Sequence, residues 1–509
     1  MAGQNFWRLG LTTPKWEKPA VTAEKDELKV ATFTESQVKN QKPAQERHYL
    51  AVPYGERAAA KASGAIWDKA AKSWYVGPDG DRAKLERWKP GNVLNQQGPA
   101  MQPEDEFAEA LRSLGCVVDG QHPIMDGAKH RIVVEGDKSR ERSGFYVGHL
   151  DGHPAGYIKN NRTGVDMKWK SKGYALDPEE KAQLQAEAAI KLREREGVLQ
   201  AKQKAVAVDI IALLNISAPA PADHPYLQSK QVRPGDLRIV PPATTVLPDV
   251  STIIIGKDWK ESSALREANP DKLVFTAGDL FVPAYDVKGT VWTAQTIQSS
   301  GRKMFAKDGR KEGCFHVIGD FDALAKAPAI VIAEGFATAG SLSETLGFPT
   351  VSAFDSGNLV LVAKALHEMF PDKPIVIAGD DDKHLESTQG YNPGRSKANE
   401  AAKAVGGKVL LPIFSTGEQA YPENLEPVTP TKARAGDLSD EQKEAIAKMK
   451  SFTDFNDLAT KSVLGKEGIE RQVRSVVFSV IDKHQARIEQ QQEHVQQQEQ
   501  RPRRAAKIG

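Results

Sequence analysis

Between Ala327 and Phe414 the apolar residues gather into four continuous runs, within PAIVIAEG, FPTVSAFD, PIVIAGDDD and GGKVLLPIF, and helix-forming sequence separates each run from the next. Uninterrupted apolar strands alternating with helices predict a parallel sheet covered on both faces. In such sheets ligands sit at the carboxyl ends of the strands. Glu334, Asp355 and the trio Asp380, Asp381 and Asp382 all fall on that edge. The alternation of strands and helices is expected to begin at about His224.

Elsewhere the pattern is weaker. Residues 1–46 are polar and without period and are expected to form a mobile lead. Residues 47–90 read as a small α+β unit, with an alanine-rich helix between a short apolar strand and an aromatic one. A linker at 91–106 precedes a strand-rich unit at 107–176. Residues 177–215 have helix-forming composition and interleaved charge, and so read as a helical spacer with a solvated face. The glutamine-rich, basic end at 483–509 is expected not to pack. The fold class is thus multidomain α/β, with the main sheet preceded by small β-rich and α+β units and a long helix.

Composition narrows the chemistry. With 509 residues the chain exceeds what one core supports. Its 69 basic and 67 acidic residues nearly balance, so affinity for polyanions must come from local patches. Two cysteines make neither a disulfide framework nor a four-cysteine zinc site. No apolar run approaches the roughly 20 residues of a membrane span, and no secretory signal is evident. The expectation is a cytoplasmic protein without membrane contact.

Carboxylates side by side at a strand end raise one another's pKa, and a divalent cation relieves the repulsion. Magnesium is a hard ion held by one or two carboxylates, with water and substrate phosphate completing its shell. Residues two apart on a strand point the same way, so Asp380 and Asp382 can share an ion while Asp381 faces elsewhere.

An apolar strand ending in Glu-Gly, a second strand and helix, and then a strand ending in Asp-x-Asp resemble the Toprim fold over 327–425. The phrases HPYLQSKQV, WTAQTIQSSGRKMF, VSAFDSGNL, IAGDDDKH and NPGRSKANEAA further resemble the TraC-like primases of conjugative plasmids, related to primases of the DnaG kind. Residues 47–88 resemble a small domain of unknown role in plasmid primases. The resemblance implies a DNA primase making short primers on single-stranded DNA from nucleoside triphosphates, using Mg2+ or Mn2+, in plasmid conjugation or replication and alongside the proteins of those processes. It assigns catalysis to Glu334, Asp380 and Asp382, with Asp454 and Asp457 of SFTDFNDLA, in region 426–482, extending the metal set. Region 216–326 becomes the first part of the polymerase, its Lys288, Arg302, Lys303, Lys307, Arg310 and Lys311 meeting nucleotide and template.

The DnaG comparison also implies a zinc ribbon near 107–176. Only Cys116, His122, His130, His149 and His153 could ligate there, and structural zinc prefers paired thiolates, so zinc is not expected. The unit reads as a ribbon that has lost its metal and holds DNA through Lys159, Arg162, Lys168, Trp169, Lys170 and Lys172, with Tyr157 as a second stacking ring. Two alternatives stand beside the primase: a non-catalytic Toprim protein that coats single-stranded DNA, and a Toprim nuclease. An OLD-type nuclease or a fused helicase would need a P-loop, which the sequence lacks.

Overall fold

A computed structural model describes residues 47–90, 102–137, 141–171, 178–247 and 252–505. The expected mobile lead and most of the expected linker, as well as Lys172, lie outside the described residues.

Strands β1 (Tyr49–Leu50), β2 (Ala65–Asp68) and β3 (Ser73–Val76) form the antiparallel sheet of the small unit, in the order β1-β3-β2. Its core is Leu50, Val52, Ala60, Leu85 and Trp88. Next come α1 (Pro103–Ser113) and a four-stranded meander of β4 (Asp126–Ile132), β5 (Gly144–His149), β6 (Ala155–Asn160) and β7 (Asp166–Lys170). Pro103 opens α1, where a missing N–H costs nothing, and three acids fill its first turn. Phe107 and Leu111 on α1 pack against Ile132, Tyr146, Ile158 and Trp169, which makes one face of the meander a core.

Helix α2 (Pro178–Ile216) is 39 residues long. It is more than the solvated spacer expected. Near its start Ala182, Ala186 and Ala189 pack against Tyr49 and Ala51 of the small unit, and near its end Val206, Ile210, Leu213 and Leu214 enter the largest core. Arg193 donates to the Tyr49 hydroxyl at 3.3 Å, and Arg195 pairs with Asp151 beyond β5. Only the middle of the helix keeps the charged, exposed character read from composition.

The regular alternation starts later than expected. Residues following α3 (Pro225–Lys230) build an antiparallel sheet of β8 (Arg238–Ile239), β11 (Leu280–Tyr285), β12 (Val291–Ile297) and β13 (Lys303–Phe305). Beside it lies a parallel pair, β9 (Ile253–Gly256) and β10 (Leu273–Thr276), joined by α4 (Trp259–Ala268). Continuous burial of β12 explains why its run of seven could be mistaken for a parallel strand.

The main sheet has five strands in the order β14-β16-β15-β17-β18. Strand β15 (Ile330–Ala333) leads through α5 (Phe336–Leu346) to β16 (Thr350–Ser352), then through α6 (Leu359–Met369) to β17 (Ile375–Ala378). Helices α7 (Lys383–Gln389) and α8 (Pro393–Val405) lead to β18 (Lys408–Leu410). These four strands are parallel. One strand lies outside the expected boundary at 327: β14 (His316–Ile318) joins the edge antiparallel to β16. Beyond the sheet, α9 (Phe455–Thr460) and α10 (Gly465–Ala505) pack Phe455, Leu458, Ile469, Val473 and Val477 on its outer side. The glutamine-rich stretch continues α10 as helix, largely exposed after Ile481.

Candidate active site

Strand order reverses between β15 and β17, and their carboxyl ends carry Glu334 and Asp380. Ala333 pairs with Ala378, so Glu334 lies beside Gly379 at the strand spacing of roughly 4.8 Å, with Asp380 one residue further on. A third acid arrives from elsewhere: Asp454 caps α9, accepting from the Asp457 amide at 2.8 Å. Asp382 accepts from the Gly394 amide at 3.1 Å, at the start of α8. Gly394 is obligatory there, since a Cβ would fall 2.6 Å from the Asp380 carbonyl and 2.9 Å from Asp382 Oδ2.

These acids sit in mutual repulsion. Burial first, and then the charges of Asp382, Asp355 and Asp454, push Glu334 up to about 8. Asp380 is driven well above the carboxylate range by burial and by Glu334, Asp454 and Asp382. Burial and Asp457 also raise Asp454. Glu334 Oε1 and Asp380 Oδ1 are buried without a hydrogen-bond partner. Buried polar atoms are normally paired, so these two oxygens are a deficit that some donor or cation would fill.

Asp381 turns the other way. It accepts from Arg395 at 2.7 Å and from Asn392 at 2.8 Å, while its own amide donates to Thr453 and its carbonyl accepts from Gln419. The middle acid therefore staples the strand-end loop to its neighbours. Asp457 differs from the expected ligand in a similar way. It is buried, 2.7 Å from Lys461 and 3.4 Å from Lys230, with Thr453 donating as well, so its charge is already compensated.

The expected basic set does not form one face. Lys303 meets the acids, its ammonium 3.4 Å from where a Cβ on Gly335 would lie. Burial lowers its pKa against the opposing pull of Asp454, Asp380 and Glu334. Lys311 pairs with Asp355 at 2.5 Å beside the end of β16. The other four diverge. Arg302 stacks on Trp259 at 4.0 Å, Lys307 donates to the Pro270 carbonyl at 2.5 Å, Arg310 lies over Trp292 at 4.7 Å, and Lys288 occupies the β11–β12 turn, at the far end of β12 from Arg302. A hairpin sends successive side chains to opposite faces, and basic density in sequence hides that division.

The strand-rich unit is corrected at two positions. Trp169 is buried at 8 % exposure with its ring centroid 4.8 Å from that of Phe107, so it is a core residue and not a stacking platform. Arg162 is held by Asp137 and Glu141 at 3.2 and 3.0 Å and pins the β4–β5 connection. The open face instead carries Lys159, Lys168 and Lys170 together with Lys129, Arg131, Phe145 and Tyr157, as the cross-strand pairs Tyr157–Lys168, Phe145–Lys159 and Arg131–Phe145 require. Lys129 lies 4.0 Å over the Phe145 ring. Among the five candidate zinc ligands, Cys116 is buried in the core, His122 bonds Tyr146, His130 bonds Asp126 and His153 bonds the Ser171 carbonyl.

The chain is 51 % identical to a DNA primase TraC of Escherichia coli, across 96 % of this chain and 46 % of that protein. A second Escherichia coli DNA primase TraC is 48 % identical across 97 % of this chain and 34 % of its own length. The resemblance to TraC-like primases is borne out. The chain spans less than half the length of these curated relatives. Residues 47–90 match a family model described as a domain of unknown function, DUF5710. Among solved structures, the Aquifex aeolicus primase (zinc-binding and RNA polymerase domains) aligns at 16 % identity and a TM-score of 0.27, covering 74 % of this chain and 92 % of that one. A DnaG catalytic domain bound to single-stranded DNA aligns at 14 % and 0.26, covering 59 % and 98 %. Similarity that slight decides nothing about the fold.

Two residues of the site escaped the sequence. Lys230, at the end of α3, reaches Asp457, and its carbonyl accepts from Asn456 at 2.7 Å. Asn358, 2 % exposed, donates to the carbonyls of Cys314 and Ala353 and accepts from the Gly313 amide, tying the Lys311 loop to the end of β16. Just before it, Phe354 holds a left-handed φ of 73° while packing on Phe305, a strained backbone at the strand end. The nearest signal was the SKQ and DSGN phrases, which spell no chemistry by themselves. Among the described residues no three His, Cys, Asp or Glu side chains converge closely enough to ligate a metal. The unpartnered oxygens of Glu334 and Asp380 still suit a hard divalent cation of the kind that one or two carboxylates hold, with water and phosphate completing its shell.

Proposed function

We propose that this chain is a DNA primase that extends short primers on single-stranded DNA by nucleotidyl transfer, with residues 327–425 and β14 forming a Toprim sheet. The observation that carries this reading is the set of Glu334, Asp380, Asp382 and Asp454 at the switch point, two of its oxygens unsatisfied and Lys303 facing it. The high identity to DNA primases named TraC supports it.

In this reading the primer 3′-oxygen attacks the α-phosphorus of the incoming triphosphate, the new P–O bond forms, and pyrophosphate leaves. Magnesium or manganese, held by Glu334, Asp380, Asp382 and Asp454, would supply positive charge against the phosphates. Lys303 and Lys311 bind triphosphate oxygens; with its pKa lowered, Lys303 is held ready to gain an anionic partner. Lys230 holds α9 and its acid in place through Asp457 and Asn456. Without a cation Glu334 is raised to about 8 by burial and its anionic neighbours; a bound divalent cation would offset those charges and lower it, leaving a carboxylate that shares the ion or takes the proton lost by the 3′-hydroxyl. Template lies on the open face of β4–β7, where cations alternate with Phe145 and Tyr157.

The test is incubation of the full chain with single-stranded DNA, labelled nucleotides and magnesium or manganese. Short oligomers are expected. Shortened DNA would show a nuclease instead, and intact DNA without oligomers would leave a binding protein.

A further inference from the structure

A second group of like charges lies on the other side of the β12–β13 hairpin. Ile297 pairs with Lys303 on the face toward the carboxylates, whereas Thr296 pairs with Met304 on the reverse face. That reverse face closes a cavity of about 150 Å³ lined by Arg266, Lys272, Phe275, Thr296, Met304 and Lys307. Arg266 comes from α4 and the two lysines from the loops before β10 and after β13.

The charges lining this cavity are positive and no carboxylate among the described residues lines it, although Lys272 acts on Asp209. Among the described residues Arg266, Arg302 and Lys307 form no ion pair. Arg266 and Arg302 share one ring, lying 4.9 and 4.0 Å from Trp259, and the pKa of Arg266 is lowered by burial with Arg302 adding to the fall. Arg266 Nη2 donates to the Val274 carbonyl at 3.1 Å, but Nη1 is buried without any partner. The acid acting on it is Asp279. Three cations lining one cavity, beside a guanidinium with an unpaired N–H, suit an anion with several acceptor oxygens. The cavity is smaller than the roughly 300 Å³ at which drug-sized ligand pockets begin, which points to a phosphoryl-sized group and not a whole nucleotide.

We propose that this cavity binds a phosphoanion, with Arg266, Lys272 and Lys307 as its donors, at a site separate from the carboxylate cluster. Two sources present that chemistry: free pyrophosphate, and a backbone phosphate of a nucleic-acid strand passing behind the hairpin. The inference goes beyond priming and does not depend on it.

The test uses the full chain in the absence of divalent cations, so that the carboxylates recruit no phosphate through a metal. Calorimetric titration with inorganic pyrophosphate is compared between the wild type, Lys272→Ala/Lys307→Ala, Arg266→Gln and Lys303→Ala. The double variant alters two side chains away from the core, so it stays informative if Arg266→Gln is poorly folded. Pyrophosphate affinity should fall at least tenfold in the double variant and by less than that in Lys303→Ala, whose cation belongs to the carboxylate site. In parallel, anisotropy with a labelled oligothymidylate separates the sources. Loss of both ligands in the double variant assigns a strand phosphate, and loss of pyrophosphate alone assigns the free anion. Equal pyrophosphate binding in wild type and double variant, or loss only in Lys303→Ala, would overturn the proposal.

Discussion

Glu334 shows what a single buried carboxyl costs when its neighbours share its sign. Its pKa is raised to about 8 in the fold from an ordinary value of 4.5, so the folded state binds the proton more tightly than the unfolded chain does. The stability linked to that proton is fully present below pH 4.5 and is lost as pH rises through about 8. Without divalent cation, Glu334→Gln should therefore melt higher than wild type by roughly 2–8 °C at pH 8.5, with the gap closing at pH 5. Scanning calorimetry in chelator at the two pH values checks this, and a constant gap would contradict the assignment. The three consecutive aspartates should also part company. Asp380→Ala and Asp382→Ala should abolish primer synthesis while the fold is retained, whereas Asp381→Ala strands Arg395 and the buried Asn392 and should cost about 1–3 kcal/mol of stability. Synthesis assays beside denaturant melts of the three variants separate the two effects.

At the level of elements, the main sheet was the most legible part of the sequence, because its four parallel strands write themselves as apolar runs, three of them ending in acids. Strand β14 was not, since three residues at an antiparallel edge leave no period to detect. The candidate site was legible where chemistry and strand end coincide, at Glu334 and Asp380, and obscure where a side chain arrives from far away, as Lys230 does across more than two hundred residues to Asp457. Density misled at the hairpin, where Arg302 and Lys303 are adjacent in sequence and serve opposite faces. Composition misled at Trp169, whose position on β7 puts it opposite Lys168 and Lys170. The meander makes a testable contrast from this. Replacing Lys159, Lys168 and Lys170 with alanine should flatten the salt dependence of single-stranded DNA binding by about 0.7 per lost phosphate contact, without unfolding. Trp169→Ala should instead cost about 3–5 kcal/mol of the unit's stability. Anisotropy across a salt series, with melting curves for each variant, distinguishes a binding face from a core face.

Across the whole molecule, α2 is the member that touches both the small unit and the largest core, and its two ends do so by different means. Leu213→Ala should weaken the body built on the largest core by about 2–5 kcal/mol, as expected for a fully buried leucine. Ala186→Glu should leave that body intact and free the small unit, seen as faster amide hydrogen exchange at β1 and β3 than in wild type. No helix among the described residues is long and apolar enough to cross a membrane, and α2 owes its length to spanning between bodies. At 1.5 Å per residue its 39 residues reach about 58 Å. Because it is one uninterrupted helix, its length is also an angle. Deleting two residues from the exposed middle would swing the alanine stripe by about 200° relative to Leu213, whereas deleting seven would shorten the reach by about 10 Å and return the stripe to within about 20°. Spacing and orientation of the small unit are thus locked together as distance and phase are along a screw thread, and an insertion that any loop would absorb turns here into a rotation.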